Sequence, residues 1–498
     1  MSNATASDIS ELQAANQVLN KTVDKLTQEL ELFKFKYEQL QQYIYGKKSE
    51  KQFLDDSSQL NIFGGNNTEP DLEPADQDDY LEVNYKRKKR VSKKSFPKDL
   101  PVDEVEYLPT ESNCADCGTE LKEFSRDIRE EIEFQPARFF RRQIIKVNCS
   151  CPRCKKVFSG NTPNPVIAGS RLGAGFFAHL ITSRFCDHLP YYRQSQIYER
   201  EGVVLPDKSL SNYAQMLGNL LQPVAKEIKN HLLSLDYLQA DETELEVLDK
   251  IKTHTGRLWT LNDPRQHLSY YEYHEDRTQE SCDKFLGSYL GALQTDGYVT
   301  YNNHLGAHLS CLAHGRRKFV EANKLAPEAK NVVKLIASLY GIEKQLNQLR
   351  IKMKPDQWYQ ERHKVRQEKS LPILGQLREY LVKLKDKYII PDHPMTKAIN
   401  YMLSRYYTFC IYTTDGRFQI DNNDIERVIR PIAIGRNNWL FAGSHNAAKI
   451  NAVMMTVVQT CRQLKVNPQK YLSDVLPKLA DQKTKSLDGL TPMDWKKS

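Results

Sequence analysis

The stretch "LDYLQADETELEVLD", residues 235–249, alternates polar and apolar side chains and predicts a β-strand of the core. On such a strand three acidic side chains share one face: Glu242, Glu244 and Glu246. Asp241 falls on the other face, together with the apolar Leu245 and Val247. A lone carboxylate on the apolar face of a strand is costly unless a cation compensates it. Asp241 is therefore the first candidate site residue.

Two strand-like segments follow, "GRLWTLND" at 256–263 and "LSYYEYHE" at 268–275, so Asp241 opens a predicted three-strand meander. A further short strand, "GALQTDGY" at 291–298, ends at Asp296 just before a glycine. A ligand can approach the backbone closely at such a place, although Asp-Gly is also a common turn signal. Asp296 is the second candidate.

The segment "HLSCLAHGRRKF", residues 308–319, predicts another strand that leads into a helix beginning with three cations: Arg316, Arg317 and Lys318. Of these, Arg316 and Arg317 are expected to bind DNA. Residues 325–407 are helical and polar, without a cluster of catalytic residue types, and are expected to be an insertion.

The stretch "DNNDIERVIRPIAIGRNNWLFAG", residues 421–443, predicts a helix capped by an Asp or Asn and ending at Pro431. The helix carries Glu426, with Asp424 as an alternative third acid, and its arginines are expected to hold a DNA backbone: Arg427, Arg430 and Arg436. Three carboxylates on separate elements suit two Mg²⁺ ions, which can promote an in-line phosphoryl displacement.

Five of the ten cysteines fall between Cys114 and Cys154. They include two Cys-x-x-Cys pairs that predict a tetrahedral structural zinc site, with the ligands Cys114, Cys117, Cys151 and Cys154. Cys149 could replace Cys151 as a ligand. Four thiolates leave no open position for water, so this zinc is not expected to be catalytic.

Residues 9–44 carry apolar side chains in a heptad pattern without proline or glycine, which predicts a self-associating coiled coil. An acidic linker at 55–82 precedes a basic run that we interpret as a DNA-binding arm: Lys86, Arg87, Lys88, Lys89 and Arg90. Residues 172–222 read as helices that either bind DNA or only pack.

The chain has 498 residues, which is long enough for several domains. Its net charge of +8 weakly favours a polyanionic partner. Neither a secretory signal nor an apolar run long enough to cross a bilayer is evident, so we expect no membrane contact.

The combined motifs resemble the transposases of bacterial insertion sequence family sixty-six. The resemblance rests on "YGKKSEK", the paired cysteines, "FCDHLPYYRQSQIYEREGV", "DETELEVLD", "LQTDGYVTYN", "CLAHGRRKF", "DNNDIERVIRPIAIGRNNWLFAGS" and "LDGLTPMDWKK". It covers the chain from about residue 40 to the end. One departure is the glycine in "AHGRRKF", where the family pattern has alanine.

The resemblance implies a ribonuclease-H-like (retroviral-integrase-like) core whose Asp-Asp-Glu triad is Asp241, Asp296 and Glu426, each also a ligand of Mg²⁺ or Mn²⁺. Together with the patterns above, it predicts a multidomain α+β and α/β protein with the following segments: coiled coil 1–48, acidic then basic linker 49–100, zinc-binding module 101–168, helical block 169–232, first part of the core 233–324, helical insertion 325–410, second part of the core 411–460 and tail 461–498.

The function expected from the resemblance is Mg²⁺-dependent DNA transposition in a bacterial cytoplasm, in association with the nucleoid. Two ions in the site would promote cleavage at the element's ends and joining of the 3′-hydroxyl to target DNA. The expected partners are the element's terminal repeats, target DNA, a second copy of the chain and small accessory proteins. Two alternatives stay open: a related hydrolytic nuclease, and an inactive zinc-containing DNA-binding regulator.

Overall fold

The computed structural model of the chain describes residues 6–45, 139–140, 144, 148–150, 157–159, 165–249, 252–481 and 486–495. Residues 1–59 and 144–498 form one unit, and residues 60–143 form a second. The predicted zinc ligands and the predicted basic arm lie outside the described residues. Among the helices that are described, none has the length and apolar character that a membrane crossing requires.

The strands within the described residues form two sheets. Strands β1 (Asn148–Ser150) and β2 (Val157–Ser159) make a small antiparallel ribbon. The larger mixed sheet has the order β5-β4-β3-β6-β7, and its strands are β3 (Tyr237–Asp249), β4 (Lys252–Asp263), β5 (Leu268–His274), β6 (Ala292–Thr295) and β7 (His308–Ser310). Strands β3, β4 and β5 are antiparallel neighbours, so the predicted meander is confirmed. Strands β6 and β7 run parallel to β3.

Helices make up most of the rest of the described chain. They are α1 (Ala6–Tyr45), α2 (Ala174–Phe185), α3 (Tyr191–Arg200), α4 (Asp207–Leu233), α5 (Gln279–Leu286), α6 (Leu312–Ala322), α7 (Ala329–Leu349), α8 (Pro355–Val365), α9 (Leu371–Lys387), α10 (Pro394–Ser404), α11 (Tyr406–Cys410), α12 (Asn423–Trp439), α13 (His445–Gln463), α14 (Pro468–Ala480) and α15 (Pro492–Trp495). A π-helical turn, Arg366–Ser370, joins α8 to α9.

Two hydrophobic clusters meet along the face of β3 that carries Asp241. Leu245 and Val247 are buried in the cluster formed with α4, α12 and α13. Tyr237, four residues before Asp241 on the same face, belongs to the cluster formed with α6, α7, α9 and α10. Asp241 therefore lies between the two clusters, at a point where apolar packing is interrupted.

Helices α7 to α11 occupy the segment that the sequence predicts as a helical insertion. They enclose a charged cluster in which Glu343, Arg362 and Arg366 are at most 4% exposed. Arg362 and Arg366 donate to both carboxylate oxygens of Glu343 at 2.7–3.0 Å, and their other donors reach main-chain oxygens between Tyr412 and Gly416. The insertion thus holds the loop that leads into α12.

Two predicted helix boundaries are wrong. Helix α12 continues through Pro431 to Trp439. The proline removes a hydrogen bond to the carbonyl of Arg427, and because Arg427 is exposed, water can take the place of the lost donor. Helix α6 begins at Leu312 and not at Arg316, so His314 belongs to its first turn.

Because Glu343 is buried with two arginines, removal of its charge is expected to destabilise the folded chain. In Glu343→Gln both guanidinium groups stay buried without a counter-charge, so we expect a loss of about 3–5 kcal/mol in the free energy of unfolding. Urea denaturation followed by circular dichroism measures it. The matched control is Glu379→Gln on the exposed side of α9, which should stay within about 0.5 kcal/mol of wild type. Equal stability of the two variants would contradict the role assigned to Glu343.

Candidate active site

The first two candidate acids are brought together by the parallel pairing of β3 and β6. Gln239 lies opposite Gln294 in this pairing, and each candidate follows its glutamine by two residues. Because side chains alternate along a strand, Asp241 and Asp296 reach the same face at the same level of neighbouring strands. Adjacent strands are about 4.8 Å apart, so the two carboxylates face each other closely.

Each of these carboxylates is oriented by the main chain just beyond it. Oδ1 of Asp241 accepts the N–H of Glu242 at 2.8 Å, and Oδ1 of Asp296 accepts the N–H of Tyr298 at 2.8 Å. Within the described residues, no hydrogen-bond donor reaches the second oxygen of either carboxylate. That oxygen is left for a ligand.

The turn after Asp296 is held from the helical insertion. Tyr401 donates its hydroxyl hydrogen to the main-chain oxygen of Asp296 at 2.8 Å, and Arg405 donates to the oxygen of Gly297 at 2.8 Å. Gly297 has a φ of +87°, and a Cβ there would stand 2.6 Å from Nε of Arg405. Only glycine meets both requirements.

The third candidate, Glu426, lies in the first turn of α12. Its Oε1 is 3.8 Å from Nε2 of His314 and 4.0 Å from a guanidinium nitrogen of Arg317. The start of α12 is tied to the start of α6, because the N–H of Asn422 donates to the sulfur of Cys311 at 3.4 Å. These contacts bring Glu426 towards the two aspartates.

The electrostatics of the site show that the acids are close to one another. Burial raises the pKa of Asp241 well above its usual value, and the negative charges of Asp296, Glu242 and Glu426 raise it further. Burial also raises the pKa of Glu426 against the lowering effect of Arg317. Burial and the charge of Arg317 lower the pKa of His314 to about 4, so its imidazole is neutral at pH 7.

A second buried carboxylate, Glu242, was not expected from the strand pattern. Its side chain is fully buried, where it forms an ion pair with Arg277 and accepts the hydroxyl of Tyr301 at 2.6 Å. The guanidinium carbon of Arg277 lies 3.2 Å from the ring centroid of Tyr298, whose N–H holds Asp296. This network couples β3 to the Asp296 turn, and no local sequence signal indicates it.

The arginines singled out from the sequence have different surroundings. Arg316 is exposed, and so are Arg427 and Arg430. Arg427 forms an ion pair with Asp424, which lies about one turn before it on the surface of α12. Arg436 donates to the main-chain oxygen of Glu244 at 2.7 Å and so fixes α12 on β3.

The chemistry of the donor set fits a hard divalent cation, because carboxylate oxygens are the ligands that Mg²⁺ prefers. Asp241, Asp296 and Glu426 would hold it. The three side chains would have to draw closer to do so, since no group of three or more His, Cys, Asp or Glu in the described part of the chain is already arranged to hold an ion. A cation would also relieve the repulsion that raises the pKa of Asp241.

Family models match four parts of the chain. The model described as "Transposase IS66 family" matches residues 169–450, more than half of the chain, and includes all three candidate acids. The other three are "Transposase C of IS166 homeodomain" at 32–105, "zinc-finger binding domain of transposase IS66" at 111–155 and "IS66 C-terminal element" at 456–493.

The chain is also similar to three proteins of Sinorhizobium fredii. It is 31% identical to uncharacterized protein y4hP over 82% of this chain and 78% of the relative. Uncharacterized protein y4jD is 28% identical over 92% of this chain and 93% of its own length. Uncharacterized protein y4qI is 27% identical over 99% of this chain and 93% of its own length. The likeness therefore extends over almost the whole chain.

The convergence of acids predicts stabilisation by Mg²⁺. An ion that binds only the folded chain adds about 2.7 kcal/mol at a concentration 100 times its Kd, which thermal melting with and without MgCl₂ detects. In Asp241→Asn the shift should disappear, because a ligand charge is gone while the side-chain size is kept. Asp283→Asn, at an exposed position on α5, should keep the full shift. A full shift in Asp241→Asn would remove Asp241 from the ion site.

Proposed function

The chain belongs to the IS66 family of transposases, and on that premise we propose that it cuts DNA at the ends of an insertion element and joins the freed 3′-hydroxyl to target DNA. Both steps are displacements at phosphorus, so one site can perform them in succession. The observation that carries the proposal is the convergence of Asp241, Asp296 and Glu426 from two neighbouring strands and a distant helix.

We also propose that the larger sheet is a ribonuclease-H-like core. Its order β5-β4-β3-β6-β7, with three antiparallel strands followed by two parallel ones, supports this assignment. The candidate acids would then lie on the first strand, at the end of the fourth strand and on a helix packed against the sheet. Helix α12 meets that condition through the contact of Arg436 with β3.

In this proposal the carboxylates are ligands and not nucleophiles. Bound Mg²⁺ would activate the attacking oxygen and neutralise charge on the leaving oxygen. The N–H groups of Glu242 and Tyr298 hold one oxygen of each aspartate, which leaves the other oxygen of each available for a ligand. His314 is half-buried and neutral beside Glu426 and adds no charge that would compete with the ion.

Parts of the chain outside the core are also proposed to contact DNA. We propose that the zinc-finger module holds one structural Zn²⁺ through Cys114, Cys117 and Cys154 together with either Cys151 or Cys149. The basic arm at 86–90 and the helical block at 169–232 would contact DNA beside it. The match of the zinc-finger model to residues 111–155 supports the zinc-binding role of this module.

The first helix is proposed to join two copies of the chain. Along α1 the seam residues are 52–73% exposed, namely Leu19, Val23, Leu26, Leu30, Phe33 and Tyr37. Their alternating spacing of four and three residues is that of a coiled-coil seam. Phe35 projects from another side and packs edge-on against Tyr388 at 5.5 Å, so the seam is not used for that contact. A second copy of α1 would cover it.

The catalytic assignment is tested with Mg²⁺ and a labelled duplex carrying the end of the element that encodes this chain. Glu426→Gln should lower both nicking and joining by about 100-fold or more, since even partners outside the ligand shell of a metal cost 10- to 100-fold. Asp424→Asn should retain both products, because Asp424 already pairs with Arg427. Nicked DNA without joined product from wild type would favour a hydrolytic nuclease. Loss of activity in Asp424→Asn alone would make Asp424 the third acid.

The dimer is tested by light scattering on the purified full-length chain. Leu19→Asp/Leu26→Asp places charges in the seam and should reduce the mass from that of two chains to that of one, because a buried unpaired charge costs several kcal/mol. Gln28→Asp, on the opposite side of α1 and exposed, should leave the mass unchanged. A wild-type mass of one chain at all concentrations would refute self-association.

A further inference from the structure

Lys318 of α6, Tyr401 of α10 and Arg405, the residue after α10, form a cluster with two cations beside the Asp296 turn. The guanidinium carbon of Arg405 lies 4.4 Å from the ring centroid of Tyr401, and Nζ of Lys318 lies 4.8 Å from the same centroid. Tyr401 and Arg405 also hydrogen-bond the main chain of the turn. Two cations therefore stand around one ring, next to a candidate catalytic acid.

These cations lack acidic partners within the described residues. Neither the ammonium group of Lys318 nor the guanidinium group of Arg405 forms an ion pair there. Besides the contacts given above, the guanidinium group of Arg405 donates to the hydroxyl oxygen of Ser404 at 3.2 Å. Arg317, one residue before Lys318, approaches only Glu426, at 4.0 Å. The cluster holds the main chain of Asp296 and Gly297, so a candidate acid lies beside it.

The buried arginines of the insertion show what a structural cation cluster looks like in the same molecule. Arg362 and Arg366 are at most 1% exposed, share the carboxylate of Glu343 and use their other donors on main-chain oxygens. Lys318 and Arg405 are partly exposed and have no such compensation. Like charges gathered without a counter-charge are expected where an anionic ligand supplies it.

We propose that Lys318 and Arg405, with Tyr401 between them, bind a phosphodiester of the DNA strand that enters the site, so that the helical insertion forms part of the substrate surface. The inference rests on the proposed function, which makes DNA the substrate. A phosphate held beside Asp296 would be positioned by Lys318 from α6 and by Arg405, the residue between α10 and α11. The carboxylates would then remain available for the metal ion.

The test measures equilibrium binding of the full-length protein to a labelled mixed-sequence duplex by fluorescence anisotropy across a range of NaCl concentrations, at one fixed Mg²⁺ concentration. Each phosphate contact contributes a slope of about −0.9 to the dependence of log K on log salt. Lys318→Ala and Arg405→Gln should each make the slope shallower by about 1, and the double variant by about 2. Lys318→Glu should weaken binding further than Lys318→Ala.

Two controls remove the same charge from the same helical region without touching the cluster. Lys324, just after α6, is exposed, and Lys397 on α10 is exposed and pairs with Asp392, so Lys324→Ala and Lys397→Ala should keep the wild-type slope. A wild-type slope in Lys318→Ala overturns the proposal, and so does an equal loss in the controls. Within the described residues Lys318 does not hydrogen-bond the main chain of the Asp296 turn, whereas Arg405 does, so the Lys318 variants leave the hydrogen bonds that hold the turn in place. Binding is read without cleavage, so a wild-type chain that cuts no DNA would refute the proposed function and leave this result intact.

Discussion

The parallel pairing of β3 with β6 is the constraint on which the rest of the site depends. It fixes Asp241 and Asp296 at one level of neighbouring strands, where burial and mutual repulsion raise the pKa of Asp241. Such an arrangement persists only if the surroundings hold it. The N–H groups of Glu242 and Tyr298 supply that support directly, and Arg277 joins the two supports by pairing with Glu242 and covering the ring of Tyr298.

The third acid depends on the helical insertion. The loop before α12 is held from the sheet, where Gln294 donates to the main-chain oxygen of Gln419, and from the insertion, where Arg362 donates to the side-chain oxygen of Gln419. The position from which Glu426 projects is thus set by both. Since Tyr401 and Arg405 also hold the Asp296 turn, the insertion positions two of the three acids. A segment that looks like a spacer in the sequence is an integral part of the site.

Local patterns allowed the acids to be predicted, because each lies on an element with its own signal: an alternating strand, a strand end before glycine, and a capped helix. The supports could not be predicted in this way. Strand periodicity placed Glu242 on the same face as Glu244 and Glu246, which suggested that its side chain is exposed. It is buried instead, because Arg277 and Tyr301, from segments far along the chain, pack on it. Pro431 was misjudged for a related reason, since packing on β3 outweighs the lost hydrogen bond.

The basic residues of one motif serve different purposes, and only their surroundings distinguish them. Arg436 fixes α12 by donating to the main chain of β3, whereas Arg427 compensates Asp424 at the surface. The three-residue spacing of Asp424 and Arg427 on a helix indicates their ion pair. The contact of Arg436 with β3 has no such local signal. A net charge of +8 is equally uninformative about where an anion binds. A cation is available to bind an anionic ligand when no carboxylate already neutralises it. Arg362 and Arg366 share the carboxylate of Glu343, whereas Lys318 and Arg405 form no ion pair within the described residues. Lys318 and Arg405 lie beside the turn that carries Asp296. There the negative charges of the candidate acids would otherwise repel the phosphates of a DNA strand.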